Sequence, residues 1–289
     1  MPGESLRWGV ERRLEFIELR LFWEGVVNRQ DLANTFGISL QQASADFARY
    51  LEIAPRNAAY DRSAKGYVRA AGFVSHVTVP DASRYLAHLR LAGDGVMDAW
   101  ASGLSGLPEF DLVPGPARRI DAGVLQSVVA AIRNGLEIEV SYQSMSRPEP
   151  ERRWIAPHAL ASDGFRWHAR SLCPKAKAYK DFVLARMSDP GGMRPCSADP
   201  RQDRGWHDRI RVIIAPHPGL SEGQRKAVEA DYSMTGGVSV IDVRACFLWY
   251  FLKRFGLEGN AAAKRPQDQH VVLLNRDDVL AALTDRQDT

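Results

Sequence analysis

An α+β protein of several domains is what the sequence predicts, on three observations. Apolar residues recur at helical spacing over residues 11–50, alternate with period two beyond Gly135, and return after Arg209 as short strands interleaved with helices. At roughly 100–200 residues per domain, the 289 residues divide into two or three units with cores of their own. The segments fall at 1–75, 76–134, 135–195 and 205–289, the last preceded by the Gly- and Pro-rich stretch DPGGMRPCSADP.

From Glu11 to Trp23, the residues Leu14, Ile17, Leu21 and Phe22 form the apolar stripe of a first helix. Asn28 is a good N-cap, and RQDLANTF behind it makes a short second helix that Gly37 stops. Ser39 and Gln42 have capping-box spacing and open a third helix to about Tyr50, with Leu40, Ala43, Phe47 and Tyr50 toward the core. AAYDRSAKGYVRA then reads as two strands around a Ser-Ala-Lys-Gly turn, a β-wing. Residues 76–134 read as a helical connector, with helices near 81–91 and 121–134 and an irregular loop from Gly103 to Pro116.

In 135–195, Ile138, Val140 and Tyr142 alternate with polar neighbours. Further strands near 153–161, 164–172 and 181–187 suit a small antiparallel barrel or sandwich better than βαβ units. In GFRWHARSLC, alternation places Phe165, Trp167 and Ala169 on a core face and Arg166, His168 and Arg170 on the other. The last segment alternates strands (210–215, 238–243, 270–274) with helices (221–231, 245–255, 277–283), a small α/β extension.

Composition excludes several classes. Hydrophobic residues are 45% and charged residues 25%, the globular average, which argues against long disorder or a coiled-coil rod. The formal charge is only +3, so any polyanion-binding surface must arise by arrangement. The three cysteines, Cys173, Cys196 and Cys246, are odd in number and far apart, which fits a reducing cytoplasm better than a disulfide framework. The longest apolar run, Ala245 to Leu252, is eight residues, too short to span a membrane, and the first residues have no signal-peptide core. No nucleophile elbow, P-loop, dinucleotide fingerprint or metal-ligand spacing occurs, so neither catalysis nor a cofactor nor a metal is expected.

Two constellations remain. With Ala43, Phe47 and Tyr50 inward, the third helix turns Gln41, Gln42, Ala45 and Arg49 outward, a set suited to base edges in a major groove. Ser39, Ser44, Arg29, Arg62 and Lys65 are placed to hold phosphates. Such residues are also common on any solvated helix, and residues 1–75 carry ten Lys and Arg against nine Asp and Glu. The second constellation is Tyr142, Ser144, Ser146, His158, His168, Arg170 and Arg186, hydroxyls, imidazoles and guanidiniums on adjacent strands that suit an anion, with Tyr142 able to stack a base. Other readings stand beside this one: His158 as a structural histidine, Arg170 and Arg186 paired with acids such as Asp181, and Trp167 as core.

With these pieces the chain resembles the WYL-domain transcriptional regulators, most closely the BrxR/CapW-type repressors associated with bacterial phage-defence islands. The resemblance runs over nearly the whole length, through ISLQQASADFARY, YQSMS, RRWIAPHAL, GFRWHARSLC, KDFVLARMSDP and APHPGLSEGQRKAVEADYSM. At the tripeptide that names the domain this chain reads Trp167-His168-Ala169. The resemblance implies a winged helix-turn-helix, an Sm-like or SH3-like β-barrel, and a C-terminal extension that joins a homodimer. It also implies sequence-specific binding to operator DNA and a pocket sensing a ligand such as a nucleotide or single-stranded nucleic acid. Two-fold symmetry then predicts an inverted repeat in double-stranded DNA, and the cationic pocket predicts an anionic ligand that weakens operator binding. A nucleic-acid-responsive activator would use the same parts with opposite sign, and a nucleic-acid-processing enzyme is the more distant alternative.

Overall fold

The computed structural model describes residues 2–96, 107–116, 118–196 and 198–284, and the chain divides into two compact units, Met1–Gly115 and Pro116–Thr289. The first holds α1 (Pro2–Trp23), β1 (Val26–Val27), α2 (Arg29–Phe36), α3 (Leu40–Ile53), β2 (Ala58–Asp61), β3 (Gly66–Arg69) and α4 (Ala82–Gly93). Local chemistry sets the helix-turn-helix. Asn28 and Asp31 cap α2 reciprocally, and Gly37 ends it in the left-handed region at φ 63°, where a Cβ would be strained. Ser39 then caps α3 by accepting from the Gln42 amide, while the Gln42 side chain turns to Asp46 instead of closing the box. The strands pair antiparallel in the order β1-β3-β2, and the wing tip is shaped by the Asp61 carboxylate, which accepts from the Ser63 and Ala64 amides.

Ile17, Leu21, Leu32, Ala43, Phe47 and Tyr50 are fully buried in this unit's core. Leu40 is not among them: it is 51% exposed, because it is the first residue of α3 and projects beyond the ends of the packed helices. Polar order is supplied by Glu18, also fully buried. Its carboxylate accepts from the backbone amides of His76, Val77 and Thr78 and from the Tyr50 hydroxyl, which in turn accepts from Asn57. Burial above all, and Glu18 beside it, push the Tyr50 phenol above its ordinary range. One carboxylate thus joins α1, α3 and the strand-exit segment that holds the wing.

The second unit begins with α5 (Ala122–Asn134), followed by β4 (Leu136–Tyr142), β5 (Glu151–Ser162), β6 (Trp167–Cys173), β7 (Ala178–Val183), β8 (Met187–Ser188) and β9 (Met193–Pro195). The antiparallel sheet follows β7-β6-β5-β4-β8, with β9 also on β4, and a register shift between Pro157 and Ala159 marks a bulge in the long β5. No pairing closes β7 onto β8 among the described residues, so the sheet is open. Helix α5 packs Val124, Val128 and Ala131 into the same core as Ile138, Val140, Ile155, Ala169 and Phe182. The segment expected as one connector over 76–134 is therefore divided: α4 lies in the first unit, where Tyr85 stacks on Trp23, and α5 in the second, where its apolar stripe completes the core. Of the loop expected from Gly103 to Pro116, residues 103–106 lie outside the described residues and 107–116 have no regular structure.

The rest comprises α6 (Arg204–His207), β10 (Arg209–Pro216), α7 (Glu222–Asp231), β11 (Ser239–Arg244), α8 (Leu248–Arg254), β12 (Val271–Leu273) and α9 (Arg276–Thr284). Its sheet, ordered β11-β10-β12, is wholly antiparallel and buries Val212, Ile214, Val243, Leu248 and Leu252 against the helices.

Alternation misleads in β6. Phe165 and Trp167 are 70% and 52% exposed, whereas His168, Ala169, Arg170 and Ser171 are all buried. Phe165 belongs to the turn and Trp167 is the first residue of the strand, while the strand beyond is covered on both faces, by the core and by the C-terminal segment.

Replacing Glu18 by Ala strands three part-buried amides and the buried Tyr50 hydroxyl. A loss of about 2–3 kcal/mol is expected, since an unsatisfied buried donor costs about 1–3 kcal/mol and the part-buried amides add less. Urea unfolding followed by tryptophan fluorescence measures it, and a change below about 1 kcal/mol would contradict the assignment.

Candidate functional site

On α3 the structure places Gln41, Gln42, Ala45 and Arg49 on the exposed face, with Ser39 at the helix start. Beneath them Asp46, buried, receives Arg13 of α1 at 2.6 Å and the Gln42 amide at 3.2 Å. The outward face is thereby fixed to the helix bundle. Gln42 spends its amide nitrogen on Asp46, and Gln41 has no side-chain partner among the described residues. Arg29, at the start of α2, donates to the Ser44 hydroxyl at 3.4 Å, so these two expected phosphate contacts sit together. Arg62 and Lys65 are exposed on the wing turn, with Lys65 at φ 50°.

The second constellation separates into two places. Tyr142, Ser144 and Ser146 line a cavity of about 450 Å³ whose other walls carry Arg147, Arg153, Lys175 and Lys180. Ser144 and Ser146 share a hydrogen bond at 3.2 Å, and the Tyr142 hydroxyl accepts from the Val183 amide. The Arg153 guanidinium lies 5.4 Å from the centre of the Tyr142 ring and 5.8 Å from that of Phe182. The register explains this wall: Val140 faces Arg153 and Tyr142 faces Glu151, so two charged residues continue the core-facing side of β5 where the core opens.

His158, His168 and Arg170 are elsewhere. Arg170, 4% exposed, grips Asp203 through Nε at 2.7 Å and Nη2 at 2.8 Å, and reaches Asp181 at 3.0 Å. His158 Nε2 lies 2.9 Å from the same Asp203, whose carboxylate also accepts from the Trp206 amide and so caps α6. Burial opposes both charges, yet the hydrogen bonds outweigh it: Arg170, with His158 after it, holds the Asp203 carboxyl well below the carboxylate range, and Asp203 holds Arg170 above its own. His168 bonds Asp163 at 3.1 Å under the Tyr250 ring, whose phenol is pushed up to about 12, by burial first and then by Asp181 and Asp163. These three residues are therefore corrected from anion contacts to a buried ionic seam between the central sheet and the C-terminal segment. Arg186 is half-buried, its carbonyl accepting from the Gln143 amide, and lines neither this cavity nor the one described next.

Four residues of the cationic wall, Arg147, Arg153, Lys175 and Lys180, were not anticipated. The signal for Arg153 was available, since it alternates with Trp154 onto the side of Ile155. The loop cations carried none. A second cavity of about 420 Å³ lies among the β5–β6 turn, β11 and α8, floored by Phe247, Tyr250 and Phe251.

Residues 9–91 match the BrxR transcriptional regulator winged helix-turn-helix domain, 123–190 the WYL domain, and 209–279 the BrxR transcriptional regulator C-terminal dimerization domain. The DNA-binding transcriptional repressor CapW of Stenotrophomonas maltophilia is 36% identical over 280 residues, spanning 96% of this chain and 93% of that protein. The CapW repressor of Pseudomonas aeruginosa is 38% identical over 284 residues, spanning 96% and 92%. The chain belongs to the BrxR/CapW family of WYL-domain transcriptional regulators. That is a family of repressors and not of enzymes, in keeping with the missing catalytic motifs. Among solved structures, the proteasome accessory factor B/C of Arthrobacter aurescens is 17% identical with a TM-score of 0.26, covering 95% of this chain and 49% of that one, too slight a likeness to argue from.

In this BrxR/CapW-family chain, replacing Asp203 by Ala leaves Arg170 buried without its main partner. A loss of about 3–5 kcal/mol is expected, as for breaking a buried pair. The native carboxyl titrates below its unfolded value of about 3.9, so its contribution is intact above about pH 4 and fades as pH falls through the native value. Wild type should therefore lose stability on acidification more steeply than Asp203→Ala, as measured by urea midpoints from pH 5 to pH 2; parallel curves would contradict this.

Proposed function

We propose that this chain is a homodimeric, sequence-specific repressor that binds an inverted-repeat operator in the cytoplasm, controls a phage-defence operon, and is released by an anionic nucleotide or nucleic-acid ligand in the cationic cavity. One observation carries the DNA reading: an exposed face of α3 bearing Gln41, Gln42, Ala45 and Arg49, braced from behind by Arg13 and Asp46, with Arg62 and Lys65 on the wing. That arrangement suits a recognition helix in the major groove with flanking phosphate contacts. The names of the relatives, DNA-binding transcriptional repressors, support it.

The dimer is supported by the match of 209–279 to a dimerization domain and by Val240, Trp249 and Leu274, large apolar side chains left exposed on that segment. Two-fold symmetry would place two recognition helices on matching half-sites. The ligand reading now rests on Tyr142, Ser144 and Ser146 with Arg147, Arg153, Lys175 and Lys180, in a volume suited to a small ligand and not to duplex DNA. The Sm-like or SH3-like barrel rests on the family resemblance, with the bulge in β5, a device that bends a strand, as its structural support. The phage-defence role rests on that resemblance too, and the identity of the adjacent genes tests it.

Footprinting on the upstream intergenic DNA should protect an inverted repeat, and a single protected half-site bound by one copy would contradict the dimer. Across a randomised operator library, the Gln41/Gln42 double alanine variant should lose about 1–3 kcal/mol of base discrimination. Lys65→Ala should instead weaken all sequences alike and lower the salt slope by about 1. An unaltered base preference in the double variant would overturn this docking.

A further inference from the structure

The cationic cavity already contains an anion of the protein's own. Glu151, the first residue of β5, accepts from Arg153 at 2.8 Å through one oxygen and from Arg147 at 3.1 Å through the other, on which Lys175 also closes. The three cations come from three places: Arg147 from the β4–β5 loop, Arg153 from β5, Lys175 from the β6–β7 turn. Asp181, the other acid at the wall, is engaged by Arg170. Lys180 has no acid partner among the described residues, and Arg153 Nε is buried without a hydrogen-bond acceptor. Once Asp181 is counted with Arg170, the wall sets Arg147, Arg153, Lys175 and Lys180 against a single carboxylate.

That surplus defines which anion gains by entering. A carboxylate brings one charge and two oxygens. A phosphodiester brings one charge as well, so exchanging it for Glu151 leaves the cation surplus unchanged. A terminal phosphate monoester carries close to two charges at pH 7 and three acceptor oxygens, enough to take over the Glu151 contacts and to satisfy Arg153 Nε or Lys180 besides. Glu151 is also well placed to leave, being partly exposed at the strand's end where its carboxylate can turn to water. Hydrogen bonding from Lys175, the largest influence, holds its carboxyl below the usual range, so it remains an anion at neutral pH.

We propose that Glu151 is an internal competitor that occupies the cavity's anion site, and that the ligand displacing it is a terminal phosphate monoester, such as the end of a nucleotide or of a cleaved nucleic acid, and not an internal phosphodiester. The proposal rests on the reading of the cavity as an anion sensor and specifies its ligand and its threshold. In this scheme the ligand's apparent affinity is its intrinsic affinity scaled by the fraction of time Glu151 is out of the site. Discrimination between mono- and diester comes from the cations, while the overall threshold comes from Glu151.

Calorimetric titration of the full chain with adenosine 5′-monophosphate and with 3′,5′-cyclic AMP, at one pH and ionic strength, tests both halves. Wild type should bind the monoester at least about tenfold more tightly than the cyclic diester. Glu151→Gln should tighten both by a similar factor, about tenfold if the carboxylate holds the site nine-tenths of the time. Arg153→Ala should abolish both. Should Glu151→Gln fail to fold, Glu151→Asp, which keeps the charge but withdraws it by one methylene, is expected to give a smaller gain of the same sign. If the Glu151 variants bind the monoester no better than wild type while Arg153→Ala still abolishes binding, Glu151 is no competitor and only the anion-site reading survives. Equal binding of the two nucleotides by wild type overturns the monoester assignment. No binding by wild type or by Glu151→Gln overturns the anion site itself, and the proposal with it.

Discussion

Asp203 is the constraint on which the second unit depends. Its side chain is 1% exposed, and its two oxygens satisfy a guanidinium from β6, an imidazole from β5 and the Trp206 amide of α6. A charge so deeply buried is tolerable only with all of those partners in place. The strands that carry Arg170 and His158 therefore cannot shift without breaking the helix cap, and the C-terminal segment cannot lift from the sheet without uncovering the guanidinium. The sheet's outer face, which an isolated antiparallel sheet would give to water, becomes a second interior.

The same strands treat their cations in two opposed ways. Arg170 is matched by two acids, Asp203 and Asp181, and is structurally spent. Arg153 lies on the other side of the sheet, stacked over Tyr142 with one donor unmet, and shares a single partly exposed carboxylate with two more cations. A saturated pair gives rigidity, and an under-neutralised one gives affinity for an incoming anion. Both lie in one sheet, whose other face is fixed to Asp203 and, through His168 and Tyr250, to the segment matched to a dimerization domain.

How much of this was legible follows from where the signals are local. The helix-turn-helix was readable because its stops are local chemistry: Asn28 and Ser39 as caps, Gly37 as the left-handed stop, and the Phe47–Tyr50 spacing as core. The C-terminal strands and helices were readable from their local periodicity, and the structure adds the capping box of Ser221 and Gln224. The central site was not, because charge pairing is a long-range property. Arg170 and Asp203 are 33 residues apart, and Asp203 lies between the two expected domains, just after the Gly- and Pro-rich stretch. Periodicity, which counts one buried face per strand, cannot report that β6 is covered on both, and so exchanged the positions of Trp167 and Arg170. Pairing of Arg170 with Asp181 was an alternative visible in the sequence, and it is the one the structure contains.

On the proposed function, an anion in the Arg153 cavity, and not one at the Arg170 seam, controls operator binding. Fluorescence anisotropy of a labelled operator fragment, followed while adenosine 5′-monophosphate is added to wild type and to Arg153→Ala, tests it most directly. Wild type should release the operator, and the variant, folded and binding the operator with unchanged affinity, should not. Release of the variant at the same nucleotide concentration as wild type would contradict it.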